Sequence, residues 1–259
     1  MTMQLLVAAM NTEPFKLAEE MQIGSDAIIV NQTDHYAYEE VEYKGHKIKF
    51  FSMAERGVGL SRTHALLRAD ADISLFADED IVYVPGYEKL VLDAFAEHPE
   101  ADMLLFNVQA MPGRETYHIG KFGKVHTYNC GRYPTYSMAV KTEAVHKRNI
   151  TFSLLFGGGA KYSNGEDSLF IQECIKKGMK VFAVPVQIGS ERERESTWFK
   201  GFNEKFFFDR GVLYHHLYGL LKKPMAYRFL LKHKGKAFDE VPMKEAWKIM
   251  CRGMKEAAK

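Results

Sequence analysis

Asp78, Glu79 and Asp80 stand together directly after Ile73, Ser74, Leu75, Phe76 and Ala77, an apolar run of strand length. A strand presents alternate side chains to one side, so Asp78 and Asp80 can converge on a point while Glu79 faces away. Adjacent carboxylates repel one another unless a positive charge stands between them. A divalent cation bound by oxygen ligands together with substrate phosphates supplies that charge. Taken alone, such a triplet is more often a polar turn closing a strand, so its surroundings must decide.

A second acidic pair, Glu166 and Asp167, opens a helix predicted to run to Lys177 and to close at Gly178. Acids in the first turn and Lys176 and Lys177 in the last suit the helix dipole, so the pair reads as ordinary helix-start chemistry unless something else recruits it. Arg56 and Arg62 flank a glycine-containing loop from which guanidinium groups can approach phosphates; the alternative is a surface Arg that solvates a helix end. The Gly157-Gly158-Gly159 run lets a ligand come close to the backbone, or is a plain loop before a helix. Trp198 offers a ring on which a ligand face can pack, and a structural Trp serves equally well. Glu191-Arg192-Glu193-Arg194 reads as a solvated charged loop, and His215-His216 has no ligand spacing.

Residues 5–9 read as a first buried strand, with Thr12 as N-cap and Pro14 in the first turn of a helix that ends by Gly24. Residues 27–30 form a second strand that exits into Asn31, Gln32, Thr33 and Asp34. A Lys44-Gly45 turn leads into a strand over 48–53, and Ser61 caps a helix over 62–69 before the strand at 73–77. A helix over 86–97, a strand over 103–108 and a strand over 181–186 follow, with loop and partial hairpin over 112–136. This alternation predicts an α/β fold, a mostly parallel sheet with helices on both faces. Such sheets bind ligands at the carboxyl ends of their strands, where the Asn31 to Asp34 and Asp78 to Asp80 groups both fall.

The 259 residues are 46% hydrophobic, enough for one large domain or a domain plus an extension. Thirty-five basic and 33 acidic residues leave a net charge of +2, which is not the balance of a general nucleic-acid binder. Three scattered cysteines, Cys130, Cys174 and Cys251, argue against a disulfide framework and fit a reducing compartment. The opening residues carry no basic leader, and no apolar run reaches spanning length. The expectation is a cytoplasmic protein that can touch a membrane by its surface.

Arg56-Gly57-Val58-Gly59-Leu60-Ser61-Arg62, Ala69, Leu75-Phe76-Ala77-Asp78-Glu79-Asp80 and Gly165-Glu166-Asp167-Ser168-Leu169-Phe170, in that order, resemble the central block of the family 2 glycosyltransferases. The likeness covers roughly residues 5–200. Residues 27–34 and 194–199 are similar to a bacterial subgroup associated with capsule and surface-polysaccharide synthesis. The resemblance implies a GT-A fold with a mostly parallel mixed sheet flanked by helices, a nucleoside-diphosphate sugar donor (UDP above all) and Mn²⁺ or Mg²⁺ held by Asp78 and Asp80. It implies Asp167 as the catalytic base of an inverting transfer, with Glu166 beside it. The donor would meet Ala8, Asn31, Gln32, Asp34, Arg56, Arg62, Asp78 and Glu79, and the acceptor Gly158 and Trp198. The family's acidic stretch after the second strand is reduced here to Asp34. Its metal-binding His after the final strand has no counterpart in residues 187–191.

Residues 1–200 are thus expected to form the catalytic domain and 201–259 a helical extension. No acid occurs in 211–238, while Lys222, Lys223, Arg228, Lys232, Lys234 and Lys236 interleave with apolar residues. Residues 206–218 are expected to pack on the domain and 222–236 to touch anionic lipid, where a lipid-linked or glycan acceptor would be met. Two other functions share these features. A sugar-phosphate nucleotidyltransferase would need a glycine-rich basic loop after the first strand, where Ala8-Ala9-Met10-Asn11 stands instead. A non-catalytic nucleotide-sugar-binding module would not need both acidic groups.

Overall fold

The structure, a computed structural model, describes residues 1–112, 117–192, 201–234, 238 and 240–258. Its strands are β1 (Met3–Met10), β2 (Asp26–Gln32), β3 (Ala37–Tyr43), β4 (His46–Met53), β5 (Ile73–Asp78), β6 (Ile81–Tyr83), β7 (Met103–Gln109), β8 (Gly123–Lys124), β9 (Met138–Lys141) and β10 (Val181–Glu191). The helices are α1 (Pro14–Glu20), α2 (Val58–Arg68), α3 (Tyr87–Glu97), α4 (Thr142–Lys147), α5 (Glu166–Lys176), α6 (Glu204–Tyr218), α7 (Lys222–Lys232) and α8 (Met243–Glu256).

The strands form one sheet in the order β3-β4-β2-β1-β5-β9-β7-β10-β6, with β8 paired to β10. The neighbours β4-β2-β1-β5 are parallel, as is β7-β10, whereas β9 lies antiparallel between β5 and β7. The sheet is therefore mixed. Strand alternation sorts the core: Leu5, Val7, Ile29 and Leu75 pack with Leu17 of α1 and Phe95 of α3 on one face. Leu6, Ile28, Val30 and Phe76 pack with Leu66 of α2 and Ile171 of α5 on the other. The helical faces expected on both sides are present, and each strand exit of the parallel set points the same way.

Two predicted caps are corrected. The residue at the α1 N-cap is Glu13, with no side-chain cap bond, while the Thr12 backbone is held at both N–H and C=O by the Asn31 amide. Helix α2 begins a turn earlier than expected, with Gly57 at the N-cap; Ser61 lies inside it and donates its hydroxyl to the Val30 carbonyl, tying α2 to β2. The Lys44-Gly45 turn is present and joins the antiparallel pair β3-β4.

Helices α6, α7 and α8 close a third apolar core around Phe207, Leu213, Leu230, Ile249 and Met250, which takes in Phe156 and Tyr162 from the segment before α5. Residues 206–218 pack inward as expected. The α6-α8 crossing is close: a Cβ on Gly211 would lie 2.2 Å from the Met250 carbonyl oxygen, and one on Gly253 2.2 Å from that of Phe208. Only glycine lets the two backbones approach so far. The buried Gln172 amide of α5 donates to the Leu217 carbonyl of α6, fastening this helical layer to the rest. Among the described residues no helix is long and apolar enough to cross a membrane.

Candidate active site

Parallel pairing sets Ala8 of β1 beside Asp78 of β5, so the ends of the two strands form the floor of one cavity. The cavity has a volume of about 390 Å³ and is lined by Ala8, Gln32, Arg62, Asp78, Glu79, Asp80, Gly158, Glu166 and Asp167, among others. The acidic group after β5 and the acidic pair opening α5 thus meet across one space, although some 90 residues of chain separate them.

Arg62 joins the two groups. It projects from α2, is 4% exposed, and donates from Nη2 to Asp78 Oδ1 at 2.6 Å and from Nη1 to Glu166 Oε1 at 2.9 Å. Burial alone would favour losing its proton, but the carboxylates of Asp78 and Glu166 outweigh that and hold its pKa above the ordinary arginine value. Its Nε is buried without a partner, and the Phe152 ring lies 5.7 Å away.

Glu79 does not face away. Its Oε2 accepts from the Met10 N–H at 2.8 Å, and the residue lines the cavity with its neighbours. The strand ends at Asp78, so the alternation that would have turned Glu79 outward no longer governs the turn residues. The carbonyl of Asp80 accepts from the Arg192 N–H at 2.7 Å, which binds this turn to the end of β10.

Among the described carboxyl groups Asp167 is strongly perturbed. Desolvation by burial and the neighbouring Glu166 charge push its pKa up to about 6, against the opposing pull of the Ser168 N–H at 2.6 Å and of Arg62. Burial therefore outweighs the helix-start field that would otherwise make it a weaker base.

The remaining residues divide. Gln32 Oε1 accepts from the Gly57 N–H at 2.8 Å and forms part of the wall. Gly158 also lines the cavity, its carbonyl accepting from the Val58 N–H at 2.9 Å. The glycine run packs tightly here: Gly157 has φ +105°, and a Cβ on it would stand 2.9 Å from Glu166 Cδ. Asn31 is buried behind the cavity on Thr12, Asp34 is exposed and bonded to His35, and Arg56 is exposed; none of the three lines it. Trp198 lies outside the described residues, as do Arg194 and Lys236.

Arg210 of α6 was not foreseen. It lines the cavity and is held over the rings of Phe206 and Phe229 at 5.0 and 5.2 Å. Its signal was the charged pair Asp209-Arg210 set between the apolar runs Phe206-Phe207-Phe208 and Val212-Leu213: Asp209 is 2% exposed and accepts from the Ser163 N–H and Lys205 Nζ. Among the described residues no three His, Cys, Asp or Glu side chains assemble into a self-sufficient metal cage.

By sequence, the chain matches no protein-family profile and no curated protein. By structure it is similar to crystal structures of S. aureus TarS. The 1–349 fragment in complex with UDP-GlcNAc superposes with a TM-score of 0.67 at 14% identity, covering 100% of this chain and 82% of that one. The same fragment in complex with UDP gives 0.59 at 15% identity over 90% and 72% of the two chains. A further crystal structure of S. aureus TarS gives 0.64 at 15% identity over 100% of this chain and 49% of that one. These likenesses, with the mixed sheet flanked by helices, define a GT-A fold.

Proposed function

We propose that this chain is an inverting, divalent-metal-dependent glycosyltransferase that moves a sugar from a nucleoside-diphosphate donor, UDP-linked above all, to a glycan or lipid-linked acceptor in bacterial surface-polysaccharide synthesis. The observation that carries the reading is the convergence of Asp78, Glu79 and Asp80 with Glu166 and Asp167 on one cavity at the strand exits of a GT-A fold. The UDP-GlcNAc and UDP complexes of the similar TarS fragment support the donor class.

Asp78 and Asp80 would hold Mn²⁺ or Mg²⁺. Mg²⁺ is commonly bound through one or two carboxylates plus substrate phosphates, so two acids at a strand exit suit it without an all-protein cage. When bound, the ion would act as a Lewis acid on the diphosphate oxygens. Asp167 accepts the proton of the acceptor hydroxyl as that oxygen bonds to the anomeric carbon. The bond from that carbon to the diphosphate oxygen breaks on the opposite face, and the leaving group keeps the electron pair. A pKa near 6 suits the base, whose positioning is worth about 10²- to 10⁴-fold in rate. Arg62 fixes Glu166 beside it. Peripheral membrane contact remains part of the proposal, supported by Leu220, Leu221, Tyr227 and Leu231, all exposed around α7 beside Lys223.

Metal-dependent release of UDP from a panel of UDP-sugars tests the reading. Release of pyrophosphate from a nucleoside triphosphate instead would assign a nucleotidyltransferase.

A further inference from the structure

A second cavity of about 760 Å³ opens beside the first and shares Gly131, Asp167 and Arg210 with it. It runs between the segment 117–134 and helices α6 and α7. Among the described residues its charged lining is one-sided: Arg132, Arg210, Arg228 and Lys232 against the acid Asp167. Among the described residues none of these four cations has a carboxylate partner. Arg132 instead lies 5.0 Å over the Tyr117 ring, and Arg210 rests on two phenylalanines. Arg228 and Lys232 are four apart on α7, where like charges on one helical face repel. Cations gathered at a concave surface raise the local concentration of anions. Tyr128, Tyr214 and Tyr218 add rings and hydroxyls, the pairing of apolar face and hydrogen-bonding tip that sugar and polyol units take.

Accordingly, we infer that this groove binds an anionic acceptor chain, an oligomer carrying phosphate or carboxylate groups among its hydroxyls, and leads its end to Asp167. The inference rests on the transferase reading and deepens it. The groove is larger than the first cavity, so it takes several units of a chain rather than one sugar. Two of the basic residues of 222–236, Arg228 and Lys232, line this groove.

Fluorescence anisotropy with labelled hexamers tests it: glycerol phosphate for the phosphate arm, galacturonate for the carboxylate arm and maltohexaose as the neutral arm. One or both charged hexamers should bind, more weakly as salt rises, and the neutral one should not. Which charged hexamer binds distinguishes the two chemistries. The double variant Arg228→Glu, Lys232→Glu should lose at least about tenfold in affinity for the charged probe. Equal binding of the neutral hexamer, no binding of any, or unchanged affinity in the double variant would overturn the inference. So would a variant effect confined to anionic vesicles. UDP binding measured on the same proteins keeps the two readings apart: its absence in the wild type counts against the donor site, whereas intact UDP binding without hexamer binding counts against the groove alone.

Discussion

Arg62 and Asp78 form a 2.6 Å ion pair at the floor of the cavity, and the same guanidinium reaches Glu166 at 2.9 Å. A buried guanidinium that donates to two carboxylates ties the end of β5 to the start of α5. Arg62→Met should therefore destabilise the protein by about 3 to 5 kcal/mol, because it leaves carboxylates without their counter-charge. Urea unfolding reads this directly, and a loss below about 1 kcal/mol would mean that the pair is screened as a surface bridge is.

Asp80→Ala should abolish metal-dependent UDP binding in calorimetry. Asp167→Asn should keep that binding and lower turnover by at least about 100-fold, the scale of a lost general base. Wild-type turnover in Asp167→Asn would remove the base assignment.

The raised pKa of Asp167 has a sign in two measurements. Since the base works deprotonated, kcat/KM should fall about tenfold per pH unit below about 6. For stability, a carboxyl whose pKa is higher folded than unfolded makes the folded state bind the extra proton. The fold is then relatively favoured below the unfolded value of 3.8, loses stability as pH rises through about 6, and stays lower above it. Asp167→Asn should accordingly be more stable than wild type at neutral pH, by at most about 3 kcal/mol, and the gain should vanish at pH 3 to 4. Thermal melts across pH check it.

Gly211→Ala should force α6 away from α8 and cost about 1 to 3 kcal/mol, since the added methyl meets the Met250 carbonyl rather than a side chain that can turn aside. UDP release should fall with it if Arg210 moves.

The buried strands were legible in the sequence because β1, β2, β5 and β7 are apolar runs of strand length, and both acidic groups were legible because each ends or opens such an element. Strand β3 was not: Ala37–Tyr43 is an exposed edge whose charged residues carry no buried alternation. Strands β6 and β9, three and four residues long, are too short for a period to show; with β3 they supply antiparallel pairs of the mixed sheet. Glu79 shows how a rule fails one residue past its element. The pairing of Arg62 with both acids depends on a tertiary approach of α2 and α5 that no local pattern encodes. Arg56, exposed in the chain before α2, stays outside the cavity.

The bond from Gln172 to Leu217 has a further meaning for evolution and engineering. Helix α5 is braced on one side by the sheet and on the other by α6, so the carboxyl group proposed to drive the reaction takes its aim from residues far downstream of it. Trimming the protein to its sheet-bearing portion would unmoor that helix, and the last quarter of the chain is better regarded as a backstop than as an appendage.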